Sequence, residues 1–148
     1  MNIDFIILAA GKGTRMGGDS PKVLADLAGK PMLQHLVNTV EGFENSKASI
    51  IVGYKSKEVE KGIVSSKKLN FVNQSKQLGT AHAVKQSFPF LRKNSVSVVL
   101  YGDAPLVSKN TLNRLIKSAS RGNLSLLTFI KNDPTGYGRI IRLSLIHI

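Results

Sequence analysis

Five apolar runs, 3–9, 48–52, 69–72, 96–100 and 124–130, alternate with segments of helical periodicity, and this alternation restricts the chain more than any other feature. Strands that are apolar throughout are buried on both faces, and helices in short crossovers between them supply the cover. The expected fold is α/β: a Rossmann-like, mostly parallel sheet with flanking helices. In the first interval Pro31 can open a helix whose Met32, Leu33, Leu36, Val37 and Val40 share one face, with Gly42 as its stop. Ser56 before Glu58-Val59-Glu60 reads as a capped helix start, and Ser108 plays the same part before Leu112, Leu115 and Ile116. In such a sheet ligands lie beyond the carboxyl ends of the strands. Two polar segments are expected there together, one after the first run and one after the fourth.

The first is Leu8-Ala9-Ala10-Gly11-Lys12-Gly13-Thr14-Arg15-Met16, with Pro21-Lys22 shortly after. Glycines 11 and 13 carry no side chain to hold a phosphate away from backbone N–H groups, and Lys12, Arg15 and Lys22 add cations. The loop therefore reads as a phosphate cradle. It lacks the third glycine of the dinucleotide fingerprint and the Gly-Lys-Ser/Thr ending of a P-loop. The competing reading is a glycine turn after an edge strand with solvated lysines.

The second is Tyr101-Gly102-Asp103. A carboxylate at the end of an apolar strand suits a hard cation such as Mg²⁺, which takes one or two carboxylates together with phosphate oxygens and water. Alternatively Asp103 begins a turn at Ala104-Pro105. A third polar segment, Gln74, Gln77, Gly79, Thr80 and His82, introduces a helix. A glutamine amide can match the edge of a base, and Gly79 permits close backbone approach. The plainer alternative is a Thr80 cap after a glycine turn, with His82 a surface or core histidine; His35, inside the first helix, reads as structural.

Composition narrows the classes. The chain of 148 residues is 42% hydrophobic and suits one globular unit. It has no cysteine, which excludes a disulfide framework and thiolate metal sites. No apolar run is long enough to span a bilayer, and the start, with Asp4 inside the first run, is unlike a signal peptide, so a cytoplasmic location without membrane partners is expected. A net charge of +12 suggests nucleic acid. The cations, however, are spread from Lys12 to Arg142 without a dense block, aromatic residues are only 6%, and no nucleic-acid motif accompanies them. Nucleic acid is not the expected partner. With no protein nucleophile in view, a phosphate cradle, a metal carboxylate and cations together equip a chain for electrostatic phosphoryl or nucleotidyl transfer.

Gln77-Leu78-Gly79-Thr80-Ala81-His82-Ala83, Tyr101-Gly102-Asp103-Ala104-Pro105-Leu106 and Asp133-Pro134-Thr135-Gly136-Tyr137-Gly138-Arg139 follow the glycine loop in order. With these motifs the chain, from Ile3 to Arg142, resembles the N-terminal uridyltransferase domain of the bacterial bifunctional UDP-N-acetylglucosamine pyrophosphorylase/glucosamine-1-phosphate acetyltransferases. The glycine loop alone gives only the wider group of sugar-nucleotide transferases. The resemblance implies a reaction joining UTP to N-acetylglucosamine-1-phosphate with release of pyrophosphate. It implies that Leu8, Ala9, Ala10 and Gly11 contact the nucleotide and that Lys12, Gly13 and Arg15 surround the triphosphate. Lys22 would stabilise charge at the attacked phosphorus, making Arg15 and Lys22 the catalytic pair. Gln74, Gly79 and Thr80 would read uracil, Tyr101, Gly102 and Gly138 would contact substrate, with Gly138 offering its backbone to the sugar, and Asp103 would bind Mg²⁺.

In that family an asparagine metal ligand, further sugar contacts and the acetyltransferase domain, through which full-length relatives form homo-oligomers, come from sequence beyond residue 148. The expected organisation is one nucleotide-binding part over 1–142, in which 136–142 reads as a turn leading into a strand, and an atypical apolar tail over 143–148. A chain ending in mid-strand would leave backbone unpaired, so the sequence is expected to be incomplete and weakly active or inactive by itself. Another sugar-1-phosphate nucleotidyltransferase is the alternative within enzymes, and a basic nucleic-acid-binding module the alternative outside them.

Overall fold

The computed structural model of the chain describes residues 1–13 and 19–141. Strand β1 (Asn2–Ala9) is followed by a one-turn 3₁₀ helix (Lys22–Leu24), a small antiparallel pair β2 (Asp26–Leu27) and β3 (Lys30–Pro31), and helix α1 (Met32–Glu41). Then come β4 (Ser46–Val52), α2 (Ser56–Gly62), β5 (Leu69–Asn73), α3 (Thr80–Gln86), a second 3₁₀ turn (Phe88–Phe90), β6 (Ser95–Tyr101) and α4 (Lys109–Ala119). The main sheet is parallel throughout, in the order β5-β4-β1-β6. The Rossmann-like expectation is met.

Alternation along β1 sorts its side chains onto two faces. Ile3, Phe5, Ile7 and Ala9 pack with Leu33, Leu36, Val37 and Val40 of α1, Val59 of α2, and Leu112 and Ile116 of α4. Ile6 joins Ile51 and Ala83 of α3 on the opposite face. The chain therefore runs β1-β4-β5 beneath α1 and α2, then crosses back over the other face through α3 to place β6 beside β1. That reversal puts the topological switch point between β1 and β6.

Local expectations fare unevenly. Pro31 and Gly42 bound α1, and the Ser108 hydroxyl accepts the Thr111 N–H to cap α4. Ser56 is not a cap: it is the first helical residue of α2, and Lys55, at φ 49°, occupies the cap position. Gly79, not Thr80, holds that position before α3. His35 is structural, its Nε2–H donating to the Leu27 carbonyl at 2.7 Å and fixing the β2–β3 turn against α1. The run 124–130 is not a strand. It finds no ladder partner, and Leu124 (89% exposed) and Ile130 (100%) lie open to solvent. In the segment 136–142, the expected turn forms, with the Tyr137 N–H donating to the Pro134 carbonyl. Residues 139–141 do not continue as a strand. Arg15, Arg142 and the expected tail 143–148 lie outside the described residues, within which no helix is long and apolar enough to cross a membrane.

Candidate functional site

Adjacent strands deliver the two polar segments to one edge. Leu8 pairs with Tyr101 in register, and the Gly102 N–H donates to the Leu8 carbonyl at 2.8 Å. The chain thus leaves β1 toward Ala10 and Gly11, and β6 toward Asp103, from neighbouring points at the switch. Lys22 enters from its 3₁₀ turn, where the buried Pro21 and Val23 on either side fix its backbone. Its Nζ donates to Asp103 Oδ2 at 2.7 Å. Gly13 lies against the same lysine: at φ +67°, a Cβ there would stand 2.5 Å from Lys22 Cβ, so only glycine fits.

The third segment closes the other side. Gln77 Nε2 donates to the Ala10 carbonyl at 2.9 Å, and the Tyr54 N–H reaches the same oxygen at 3.3 Å. Gln74, just past β5 and buried, donates from Nε2 to the Gly79 carbonyl at 3.2 Å and contacts His82 Nδ1 at 3.0 Å. Between these groups is a cavity of about 520 Å³, a size that suits a small organic ligand. Of the residues expected from sequence, Leu8, Ala9, Ala10, Gly11, Gly13, Lys22, Gln74, Gly79, Thr80, Tyr101 and Asp103 line it.

Among the described residues, three of those expected do not line it. Lys12 stands beside the cavity with its ammonium over the Tyr54 ring, 5.3 Å from the centroid. Gly102 is buried beneath, and Gly138 lies exposed in the segment after α4. Val23, Gln77 and Ala83 line the cavity in addition. Of these Gln77 carried a signal in the sequence as part of the third polar segment, and Ala83 as the last residue of the motif that begins at Gln77. Tyr54 was also missed. Its hydroxyl donates to Asp19 Oδ1 at 2.8 Å, and Lys55 Nζ donates to Asp19 Oδ2 at 2.8 Å. The Lys55 bond first, then the Tyr54 bond, hold the Asp19 carboxyl below its usual range; the same bonds push Lys55 and Tyr54 up.

Asp103 is the one carboxylate that lines the cavity among the described residues. Its side chain is 41% exposed, and its Oδ2 is shared with Lys22. No group of three or more candidate metal-ligating side chains occurs among the described residues. A cation there would therefore take one carboxylate from the protein and its remaining ligands from phosphate oxygens and water, which fits Mg²⁺ or Mn²⁺.

An open parallel sheet with a glycine loop, a lysine–aspartate pair and a cavity at its switch point defines a nucleotide-handling α/β protein of the nucleotidyltransferase kind. The chain belongs to the MobA-like NTP transferase domain family, whose profile matches residues 5–137. It is 49% identical over 142 residues to the bifunctional protein GlmU of Nitrosomonas eutropha, covering 96% of this chain and 31% of that protein. The chain thus spans about a third of the length of the curated relatives it matches. Among solved structures it is similar to HddC from Yersinia pseudotuberculosis complexed with GMP-PN (28% identity, TM-score 0.62, 78% of this chain and 53% of that one). It shares its fold with Rv0371C complexed with manganese from Mycobacterium tuberculosis H37Rv (19% identity, TM-score 0.61, 81% and 60%). The resemblance seen in the sequence is borne out.

Proposed function

We propose that the chain is the nucleotide-binding part of a uridylyltransferase that joins UTP and N-acetylglucosamine-1-phosphate into UDP-N-acetylglucosamine and pyrophosphate. The observation that carries this reading is the cavity at the β1–β6 switch point, with Lys22 and Asp103 paired beside the glycine loop. In the proposed reaction an oxygen of the sugar phosphate attacks the α-phosphorus of UTP. A new P–O bond forms there, the bond to the β-phosphate bridge breaks, and pyrophosphate leaves with the electron pair. No protein nucleophile is required, so positioning and charge neutralisation carry the rate.

Lys12, Arg15 and the backbone of Gly11 and Gly13 hold the triphosphate. Lys22 turns from Asp103 to the phosphorus under attack and stabilises the charge that accumulates on it. Gln74, Gly79 and Thr80 face the base, Tyr101 contacts substrate from the cavity wall with Gly102 buried beneath it, and the Gly138 backbone meets the sugar. Asp103 holds Mg²⁺, which when bound neutralises phosphate charge.

In a polypeptide extended to the full length of the relatives, Lys22→Ala and Asp103→Ala should each slow pyrophosphate release about a hundredfold or more. Stability should change by less than about 1 kcal/mol, because the pair is substantially exposed. Near-normal turnover in either variant removes the role assigned to that residue. A titration with UTP, CTP, GTP and dTTP tests the base: the similarity to a protein complexed with GMP-PN makes guanine the second reading. Preference for GTP would replace uridylyl with guanylyl transfer.

A further inference from the structure

We propose that His82 is a positioning residue for base selection: its Nδ1 locks the Gln74 amide so that only carbonyl Oε1 faces the cavity, favouring uracil over cytosine. The inference rests on the nucleotide reading given above.

Gln74 is 4% exposed and lines the cavity. A buried amide must place both its ends, and the nitrogen end of this one has two hydrogens to give. One goes to the Gly79 carbonyl at 3.2 Å. That carbonyl can only accept, so the nitrogen, not the oxygen, must point at it. Gly79 presents the carbonyl from φ +95°, ψ −179°, a conformation essentially restricted to glycine. The second hydrogen meets His82 Nδ1 at 3.0 Å, which must then be the unprotonated nitrogen. The ring proton then lies on Nε2. The Gln86 amide nitrogen stands 3.2 Å from that atom and donates to the His82 carbonyl at 3.2 Å, so this tautomer requires the Gln86 amide to turn over, at the expense of that one bond, and present its oxygen to the ring proton. Gln74 Oε1 has no donor among the described residues, so it is the end left for a ligand.

Uracil presents an N3–H donor where cytosine presents a bare nitrogen acceptor. Fixed Oε1 pairs with the first and faces the second lone pair to lone pair. An amide held by Gly79 alone could turn over at the expense of one hydrogen bond and serve either base; held by two acceptors, it cannot do so cheaply. His82 thus acts through Gln74 without touching the base.

The test is calorimetric titration of the 148-residue chain with UTP and with CTP in Mg²⁺, repeated for His82→Leu and His82→Asn. In His82→Leu the UTP-to-CTP affinity ratio should fall about tenfold, the equivalent of one buried hydrogen bond. His82→Asn, whose Oδ1 can stand in for Nδ1, should restore most of it. A purely structural histidine would weaken both nucleotides alike, and that result, like an unchanged ratio, overturns the proposal while leaving nucleotide binding in place. An unsubstituted chain that binds neither nucleotide overturns both readings. ¹⁵N spectra of the unsubstituted protein test the tautomer without any variant: a His82 proton on Nε2 supports the lock, and a proton on Nδ1 sinks it.

Discussion

Tyr54 lies outside the polar segments that stand out in the sequence, yet it touches the glycine loop and the chain beyond it. Within the loop it carries Lys12 over its ring and donates its N–H to the Ala10 carbonyl; past the loop, its hydroxyl binds Asp19. Lys55, held at φ 49° by the chain around it, doubles the hold on Asp19. Because the Asp19 carboxyl lies below its usual range, this clamp is complete above the ordinary aspartate value of 3.8 and loosens as pH falls through the lowered one. Tyr54→Phe keeps the ring beneath Lys12 and loses only the Asp19 bond, so UTP affinity should drop about threefold. Tyr54→Leu also removes the cation–π platform, and the loss should reach about tenfold. Titration calorimetry distinguishes the two; equal affinities across all three proteins would remove Tyr54 from the site.

At the scale of elements, legibility followed how local the determining physics is. Of the continuous apolar runs that became β1, β4, β5 and β6, the two inner strands β1 and β4 are buried by neighbours and the outer two are only partly covered, while α1 shows its buried face in its own spacing. The ends of β1 and β6 could therefore be read as a site from sequence alone. The run 124–130 has the same composition but no partner strand, and a strand is a property of a pair. Ser56 and Thr80 looked like caps, but the preceding backbone, at Lys55 and Gly79, turns with positive φ and takes that position. The Tyr54 clamp and the Gln74–His82 contact join residues from different elements or turns, so spacing could not announce them. Gly79 allows a direct test of this level. A Cβ there meets nothing within 4 Å, so Gly79→Ala suffers only from the backbone conformation. It should destabilise the folded chain by about 1–3 kcal/mol in a denaturant melt. It should also weaken UTP, because the carbonyl that orients Gln74 turns away. A neutral melt would mean that the loop accepts another conformation at no cost.

Over the whole molecule the sheet is tied at the end opposite the cavity. Asp4, 3% exposed within β1, accepts from the Arg92 N–H, from Arg92 Nε and from the Ser95 hydroxyl, each at 2.7 Å. The Arg92 guanidinium goes on to the Ile3 carbonyl at 2.7 Å and the Asn45 carbonyl at 3.0 Å, so one side chain joins β1, the turn before β4 and the approach to β6. Burial works against the Asp4 charge, but the bonds from Ser95 and Arg92 and the charge of Arg92 outweigh it, leaving the carboxyl below its ordinary value of 3.8. A depressed carboxylate stabilises the fold fully above the unfolded value, and this contribution is lost as pH falls through the folded one. Asp4→Asn keeps the shape but sets an amide against these donors, and should cost about 2–4 kcal/mol near neutral pH. Below both values the native carboxyl is protonated and resembles the amide, so the two stability curves should converge on acidification, the unsubstituted chain falling more steeply below about pH 4. Urea melts between pH 2 and 7 measure this directly. Curves that stay parallel would show that Asp4 carries no linked proton. Because the tie lies away from the cavity, folded Asp4→Asn protein should bind UTP with unchanged affinity, and a matching loss of affinity would mean that the two ends of the sheet are coupled through β1.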